Sequence, residues 1–326
     1  MPLVSLDAIR QAADRIRSVA RRTPILDVSD FAGRSLLLKC EQQQPGGAFK
    51  IRGATNMLVR LSADARARGV VTFSSGNHGQ AVALAASRLG APAVIVMPTT
   101  APAIKVEGVR RWGGEVIFEG TTSADRRVRA EKEAAARGLT MVPPFDHEWI
   151  IEGQGTCGLE ILDQLPDTGV VVVPIGGGGF ASGVAAAVKQ SGSRARVVGV
   201  EPAGAAKMSA SLAAGHPVTL DRTESIADGL MPVRPGDLTF EHVQKFVDDV
   251  VTVTDDEIAS AALWLFFEAK QVVEPSGAAT VAAVLGNKSR VFADGGNVVA
   301  ILSGGNVAPD ALARLASERK REAVAR

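Results

Sequence analysis

Short apolar runs and alanine-rich segments of helical period alternate through most of the chain. The runs Leu36–Lys39, Val70–Phe73, Ala93–Met97, Glu115–Phe118, Val170–Val173, Val197–Val200 and Val298–Leu302 predict strands. Between them, Asn77–Leu89, Ala124–Arg137, Phe180–Gln190 and Asp255–Glu268 predict helices. A strand that is apolar at consecutive positions must be covered on both faces, as in a parallel sheet flanked by helices. The pattern therefore predicts an α/β, doubly wound architecture with mostly parallel sheets. Ligands in such sheets sit past the carboxyl ends of strands, in loops that lead into helices. The stretch from Asn306 to Arg326 reads as a terminal helix with a charged tail.

One apolar run needs separate treatment. From Thr168 to Val188 no residue is charged, which is long enough to span a bilayer. Pro174 and the four glycines Gly176–Gly179 would break such a helix and strand its polar groups in lipid. A strand, a glycine loop and a buried helix are expected instead. The 326 residues, 46% of them hydrophobic, suffice for one large domain or two ordinary ones. Lys plus Arg number 36 against 35 Asp plus Glu, a net charge of +1, which argues against a nucleic-acid scaffold or a polybasic membrane binder. Aromatic residues are 4% and tyrosine is absent, so stacking platforms for bases are not expected. Cys40 and Cys157 lie far apart and give neither a disulfide framework nor a zinc site. The start, Met1 to Asp7, lacks a basic segment followed by an apolar run. A cytoplasmic protein is the expectation, with neither membrane nor nucleic acid among its partners.

Four loops carry unusual chemistry. Pro174-Ile175-Gly176-Gly177-Gly178-Gly179-Phe180 runs from a strand into a helix, and its glycines let backbone N–H groups approach an anion at a helix N-terminus. Gly176, Gly178 and Ala181, with Glu201 after the next strand, also satisfy a relaxed dinucleotide fingerprint. Ser74-Ser75-Gly76-Asn77-His78-Gly79-Gln80 offers hydroxyls, an amide and helix-start donors to a carboxylate; the bland alternative is a serine cap and a surface histidine. Leu302-Ser303-Gly304-Gly305-Asn306 places a hydroxyl at a strand end. In Pro45-Gly46-Gly47-Ala48-Phe49-Lys50-Ile51-Arg52-Gly53-Ala54, small and apolar neighbours and a helix start lower the pKa of Lys50 and make it a usable nucleophile.

A reactive lysine, a phosphate loop without basic residues and a carboxylate pocket together suit an aldehyde cofactor bearing a phosphate. The segment Gly47–Ala54 resembles the pyridoxal-lysine motif of the serine/threonine dehydratase and serine racemase family. Ser74–Gln80, Gly176–Gly179 and Ser303–Asn306 match that family in the same order, as do Gly153–Thr156, Ile226–Gly229 and Glu274-Pro275. The likeness covers nearly the whole chain. It implies a pyridoxal enzyme of the tryptophan-synthase-β type (fold type II). A large cofactor-binding domain would hold residues 1–60 and 147–326, and a small mobile domain, 61–146, would close over the substrate. The resemblance further implies pyridoxal 5'-phosphate as cofactor and a homodimer. Lys50 would carry the cofactor aldehyde, Gly176, Gly177, Gly178 and Gly179 its phosphate, Asn77 its ring oxygen and Ser303 its ring nitrogen, with Phe49 packed against the ring. Ser75, Gly76, Asn77 and His78 would hold the substrate carboxylate, and Ser75 would face Cα from the side opposite Lys50.

The activity implied is dehydration of a 3-hydroxy amino acid, threonine or serine in type, to a 2-oxo acid and ammonia. A racemase of the same family is the nearest alternative, and a bulkier substrate such as phenylserine or hydroxyaspartate follows if Phe145 lines the pocket. Glu152 stands where the family more often has a small residue. A nicotinamide oxidoreductase and a non-catalytic amino-acid-binding module are the readings from other classes. Related racemases bind a divalent cation after the strand that follows the glycine loop. Here the matching segment, Glu201 to Lys207, puts a lysine where a second acid is needed. No metal is therefore expected, with Lys207 paired to Glu201 in its place.

Overall fold

The computed structural model describes residues 2–74, 76–293 and 296–324, with side chains through residue 317. Ten strands occur among them: β1 (Ile25–Asp27), β2 (Leu37–Lys39), β3 (Val70–Phe73), β4 (Ala93–Met97), β5 (Glu115–Phe118), β6 (Thr140–Met141), β7 (Thr168–Pro174), β8 (Arg196–Pro202), β9 (Asp249–Val253) and β10 (Asn297–Ile301). They form a six-stranded sheet, ordered β1-β2-β10-β7-β8-β9, and a four-stranded sheet, β5-β4-β3-β6. β1 pairs antiparallel with β2, and the other described pairings are parallel. The architecture is α/β with mostly parallel sheets, as the apolar runs predict.

Alternate residues of each strand point to opposite faces, and both faces are covered. Val170, Val172, Val198 and Val200 pack with Leu265, Val281 and Val284 of helices Asp255–Phe267 and Pro275–Leu285. On the other face Val171, Val173 and Val197 meet Ile161 and Val184 of helices Glu148–Gln164 and Gly179–Gln190. In the four-stranded sheet, Val70 and Ile95 pack on Val82 and Leu84 of helix Asn77–Arg88, while Val71, Val94 and Val96 face Ala130 of helix Ser123–Arg137. The Thr168–Val188 run resolves into β7, a loop and most of a buried helix. No helix among the described residues is long and apolar enough to cross a membrane.

Helix Glu148–Gln164 escapes a propensity argument because Gly153, Gly155 and Gly158 lie inside it. Packing accounts for them. A Cβ on Gly153 would stand 2.7 Å from Arg52 O, one on Gly155 2.9 Å from Gly183 O, and one on Gly158 2.8 Å from Val184 O. Helices Lys50–Val59, Glu148–Gln164 and Gly179–Gln190 thus meet backbone to backbone. The first carries Lys50 and the last begins at the glycine loop, so this crossing fixes the two halves of the site.

Candidate active site

The lysine segment is pinned to the loop after β10. Ala48 bridges Gly304, Phe49 N donates to Ser303 O at 3.1 Å, and Gly305 N donates to Gly47 O at 2.9 Å. Lys50 opens its helix and donates from Nζ to Pro144 O at 2.8 Å. Burial lowers its pKa to about 8, so an appreciable fraction is the neutral, nucleophilic amine near neutral pH. The Phe49 ring lies below the amine, centroid 5.2 Å from Nζ, and stacks on Phe180 at 3.9 Å with planes 8° apart.

Phe180 follows the glycine loop directly. A Cβ on Gly177 would lie 2.3 Å from the Phe145 ring, one on Gly178 2.8 Å from Thr239 Oγ1, and one on Gly179 2.7 Å from Phe145 O. Gly178 also has φ +101°, a region that favours glycine. Thr239 Oγ1 donates to Gly177 O at 2.7 Å. Asp146 accepts from the backbone N–H of Asp237 at 3.0 Å and of Thr239 at 3.2 Å. Pro144, Phe145 and Asp146 therefore form a strap that touches Lys50, the glycine loop and helix Asp237–Phe246 in turn. The first N–H groups of helix Gly179–Gln190 have no intrahelical acceptor, and with the helix dipole they make an anion seat.

In the loop after β3, Ser75 lies outside the described residues. Gly76 is the N-cap of helix Asn77–Arg88, and no side chain caps it there; Ser74 Oγ instead accepts from Gly76 N at 3.1 Å. Asn77 donates from Nδ2 to Glu274 Oε1 and accepts from Asn306 Nδ2 at 2.9 Å. His78 is 4% exposed, not a surface residue. Its Nε2 is 3.2 Å from Val142 O, and burial, then the nearby Lys50 charge, lower its pKa to about 3. The imidazole is neutral at physiological pH.

Ser303 is buried beside helix Pro275–Leu285, with Oγ 3.4 Å from Ser276 O. Next to it Glu274 is buried with Oε2 unpartnered. Burial, then the Asp228 charge, raises its pKa to about 7. Glu274 and Asp228 belong to motifs visible in the sequence, but nothing there gives them a role. The sequence pattern does not single out Lys105, which is buried and ion-paired with Asp228. The faint signal was a lysine flanked by Ile104 and Val106 after Pro102.

Two other charged positions have definite places. Lys207 Nζ lies 3.0 Å from Glu201 Oε1 and donates to the carbonyls of Ile175, Ala205 and Leu230 at 3.0, 3.0 and 3.1 Å. Glu152 is committed elsewhere: its Oε2 accepts from Arg15 at 3.0 Å, Arg60 at 2.6 Å and Asn56 at 3.2 Å.

The donor set fits pyridoxal phosphate. An aldehyde needs a neutral amine, supplied at Lys50; a phosphate needs backbone donors at a helix start, supplied by Gly176–Gly179. The orphaned Glu274 Oε2, Asn77 and Ser303 are polar groups close to the lysine segment, suited to a ring's heteroatoms.

Comparison with known proteins agrees with this geometry. The family model described as pyridoxal-phosphate dependent enzyme matches residues 16–304. The chain is 42% identical over 308 residues to an L-threonine ammonia-lyase of Thermotoga maritima, covering 94% of this chain and 76% of the relative. It is 45% identical over 306 residues to a serine racemase of Arabidopsis thaliana, covering 92% of each. The structure of maize serine racemase superposes with a TM-score of 0.92 at 39% identity, covering 98% of this chain and 99% of that one. The chain belongs to the pyridoxal-phosphate dependent enzyme family, within its serine/threonine dehydratase and serine racemase group.

Proposed function

We propose that the protein is a pyridoxal-phosphate-dependent dehydratase (ammonia-lyase) that converts a 3-hydroxy amino acid of the threonine or serine type to a 2-oxo acid and ammonia. The observation that carries this reading is the Lys50 amine held on Pro144 O, in the strap whose Phe145 packs against the glycine loop, with Phe49 stacked on Phe180 beyond it. Pyridoxal phosphate, when bound, supplies an electron sink for the charge left at Cα. Lys50 would be its attachment point, and the Lys50 amine would serve as general base for the Cα proton. Gly176 to Gly179 would take the phosphate, Asn77 the ring oxygen and Ser303 the ring nitrogen, with Phe49 against the ring. Ser75, Gly76, Asn77 and His78 receive the substrate carboxylate. A serine hydroxyl at the ring nitrogen adds no negative charge to stabilise its protonated form, which favours elimination over transamination.

Residues 61–146, which contain the four-stranded sheet, form the small domain that closes on the remainder in this reading. It also assigns a homodimer in the cytoplasm. The 45% identity to a serine racemase favours a second reading, racemisation, with Ser75 as acid and base on the far face of Cα. A panel of threonine, serine, phenylserine and hydroxyaspartate, each as single enantiomers, tests both. Release of 2-oxo acid and ammonia from one of them supports the dehydratase; accumulation of the mirror image without 2-oxo acid supports the racemase.

A further inference from the structure

Lys105 lies in the first turn of helix Ala103–Arg111, on the side of the cleft formed by the four-stranded sheet. Its alkyl chain runs over the carboxylate loop: a Cβ on Gly76 would stand 2.8 Å from Lys105 Cδ and 3.2 Å from both Cε and Nζ. The ammonium is thus beside the backbone at the start of helix Asn77–Arg88. Its counter-ion comes from across the cleft, from Asp228 in the turn Asp228–Leu230. The pair is unequal, because the Lys105 side chain is 9% exposed and that of Asp228 is 49% exposed. The cation lies against the loop, whereas the anion is half exposed.

Solvent reaches the Asp228 side of this ion pair and screens it there, so a second carboxylate can replace that partner. The loop N–H groups and the helix N-terminus attract a carboxylate to the same spot. We propose that Lys105 is a positioning residue for the substrate carboxylate: in the empty cleft its ammonium rests on Asp228, and the carboxylate of a bound amino acid replaces Asp228 as its counter-ion. The proposal rests on the reading that an amino acid binds at the Ser74–His78 loop. A side chain at position 76 would make the Lys105 side chain shift. The exchange makes substrate binding and the tie across the cleft compete for one cation.

The test titrates the visible absorbance of the cofactor in the holoenzyme with L-alanine and with L-alaninamide. Neither has a hydroxyl to eliminate, and they differ in the carboxylate alone. Wild type, Lys105→Met, Lys105→Arg and Asp228→Asn are compared, together with KM and kcat for serine. Wild type binds alanine about tenfold or more tightly than the amide, the scale of a charge-assisted contact. Lys105→Met brings the two ligands to within about twofold by weakening alanine, and raises KM for serine more than it lowers kcat. Lys105→Arg restores most of the preference, and Asp228→Asn does not weaken alanine. An unchanged preference in Lys105→Met, equal weakening of both ligands, or equal affinity in wild type overturns the proposal. If Lys105→Met does not fold, several-fold weaker alanine binding in Asp228→Asn overturns it instead. A wild type that prefers alanine to its amide but releases no 2-oxo acid sinks the dehydratase reading and leaves this one standing.

Discussion

Lys207 and Glu201 face each other 3.0 Å apart with neither side chain reaching solvent. Three backbone carbonyls complete the surroundings of the ammonium, and one of them belongs to Ile175, the residue before the glycine loop. Glu201 also accepts from the N–H groups of Met208 and Ser209, each at 2.8 Å. A divalent ion beside Glu201 would face a fixed ammonium 3.0 Å from the carboxylate. Replacing Lys207 by Met leaves a buried carboxylate without its counter-charge and should cost about 3–5 kcal/mol of stability. A chemical denaturation midpoint measures this. Chelator treatment of the wild type should leave both activity and melting temperature unchanged; strong inactivation reversed by Mg²⁺ or Ca²⁺ would refute the substitution of ammonium for metal.

Lys50→Ala should abolish turnover and remove the visible absorbance of the lysine-bound cofactor. Folding should survive, since the amine's contact is one hydrogen bond to Pro144 O and its burial disfavours the charged form. Activity and absorbance at wild-type levels in this variant would remove Lys50 from the reaction.

Glu274 gives the cofactor-free protein a pH dependence. Its carboxyl titrates near pH 7 in the folded state, above the ordinary value of 4.5. Between those values the folded chain holds a proton that the unfolded chain has lost, so this group's contribution to stability falls as pH rises from 4.5 to 7. The fall amounts to about 3 kcal/mol. Glu274→Gln keeps the shape and removes the proton, so its stability curve should lack that slope. Denaturation midpoints of both proteins across the range decide it, and parallel curves would place the titration elsewhere.

Ser303→Asp would set a carboxylate at the position assigned to the ring nitrogen and favour its protonation. The expected outcome is a shifted cofactor spectrum and an altered partition among elimination, racemisation and transamination. An unchanged spectrum with unchanged products would mean that Ser303 does not reach that nitrogen.

Much of this site announces itself in the chain because it is made of loops at strand ends, where glycines and isolated polar residues interrupt apolar runs. Lys50, Phe49, Asn77, Gly176–Gly179 and Ser303 all come from such loops, and the fold gathers them. Lys105 does not announce itself, because a lysine in the first turn of a helix reads as a solvated residue. Its meaning depends on Asp228, 123 positions away. The missing elements have equally physical causes. β1 and β6 are three and two residues long, and the edge strand β9 is largely half-buried, so none shows a full apolar run. Helix Glu148–Gln164 hides behind its glycines, which only the close approach of its neighbours explains.

That close approach bears on how mutations far from the cleft are felt. Where side chains separate two helices, a new rotamer can absorb a small displacement. Where Gly153 and Gly155 bring main chain against main chain, there is no such cushion. A substitution that shifts helix Glu148–Gln164 must carry the Lys50 helix and the glycine-loop helix with it. The amine and the anion seat therefore keep their mutual spacing when that helix shifts.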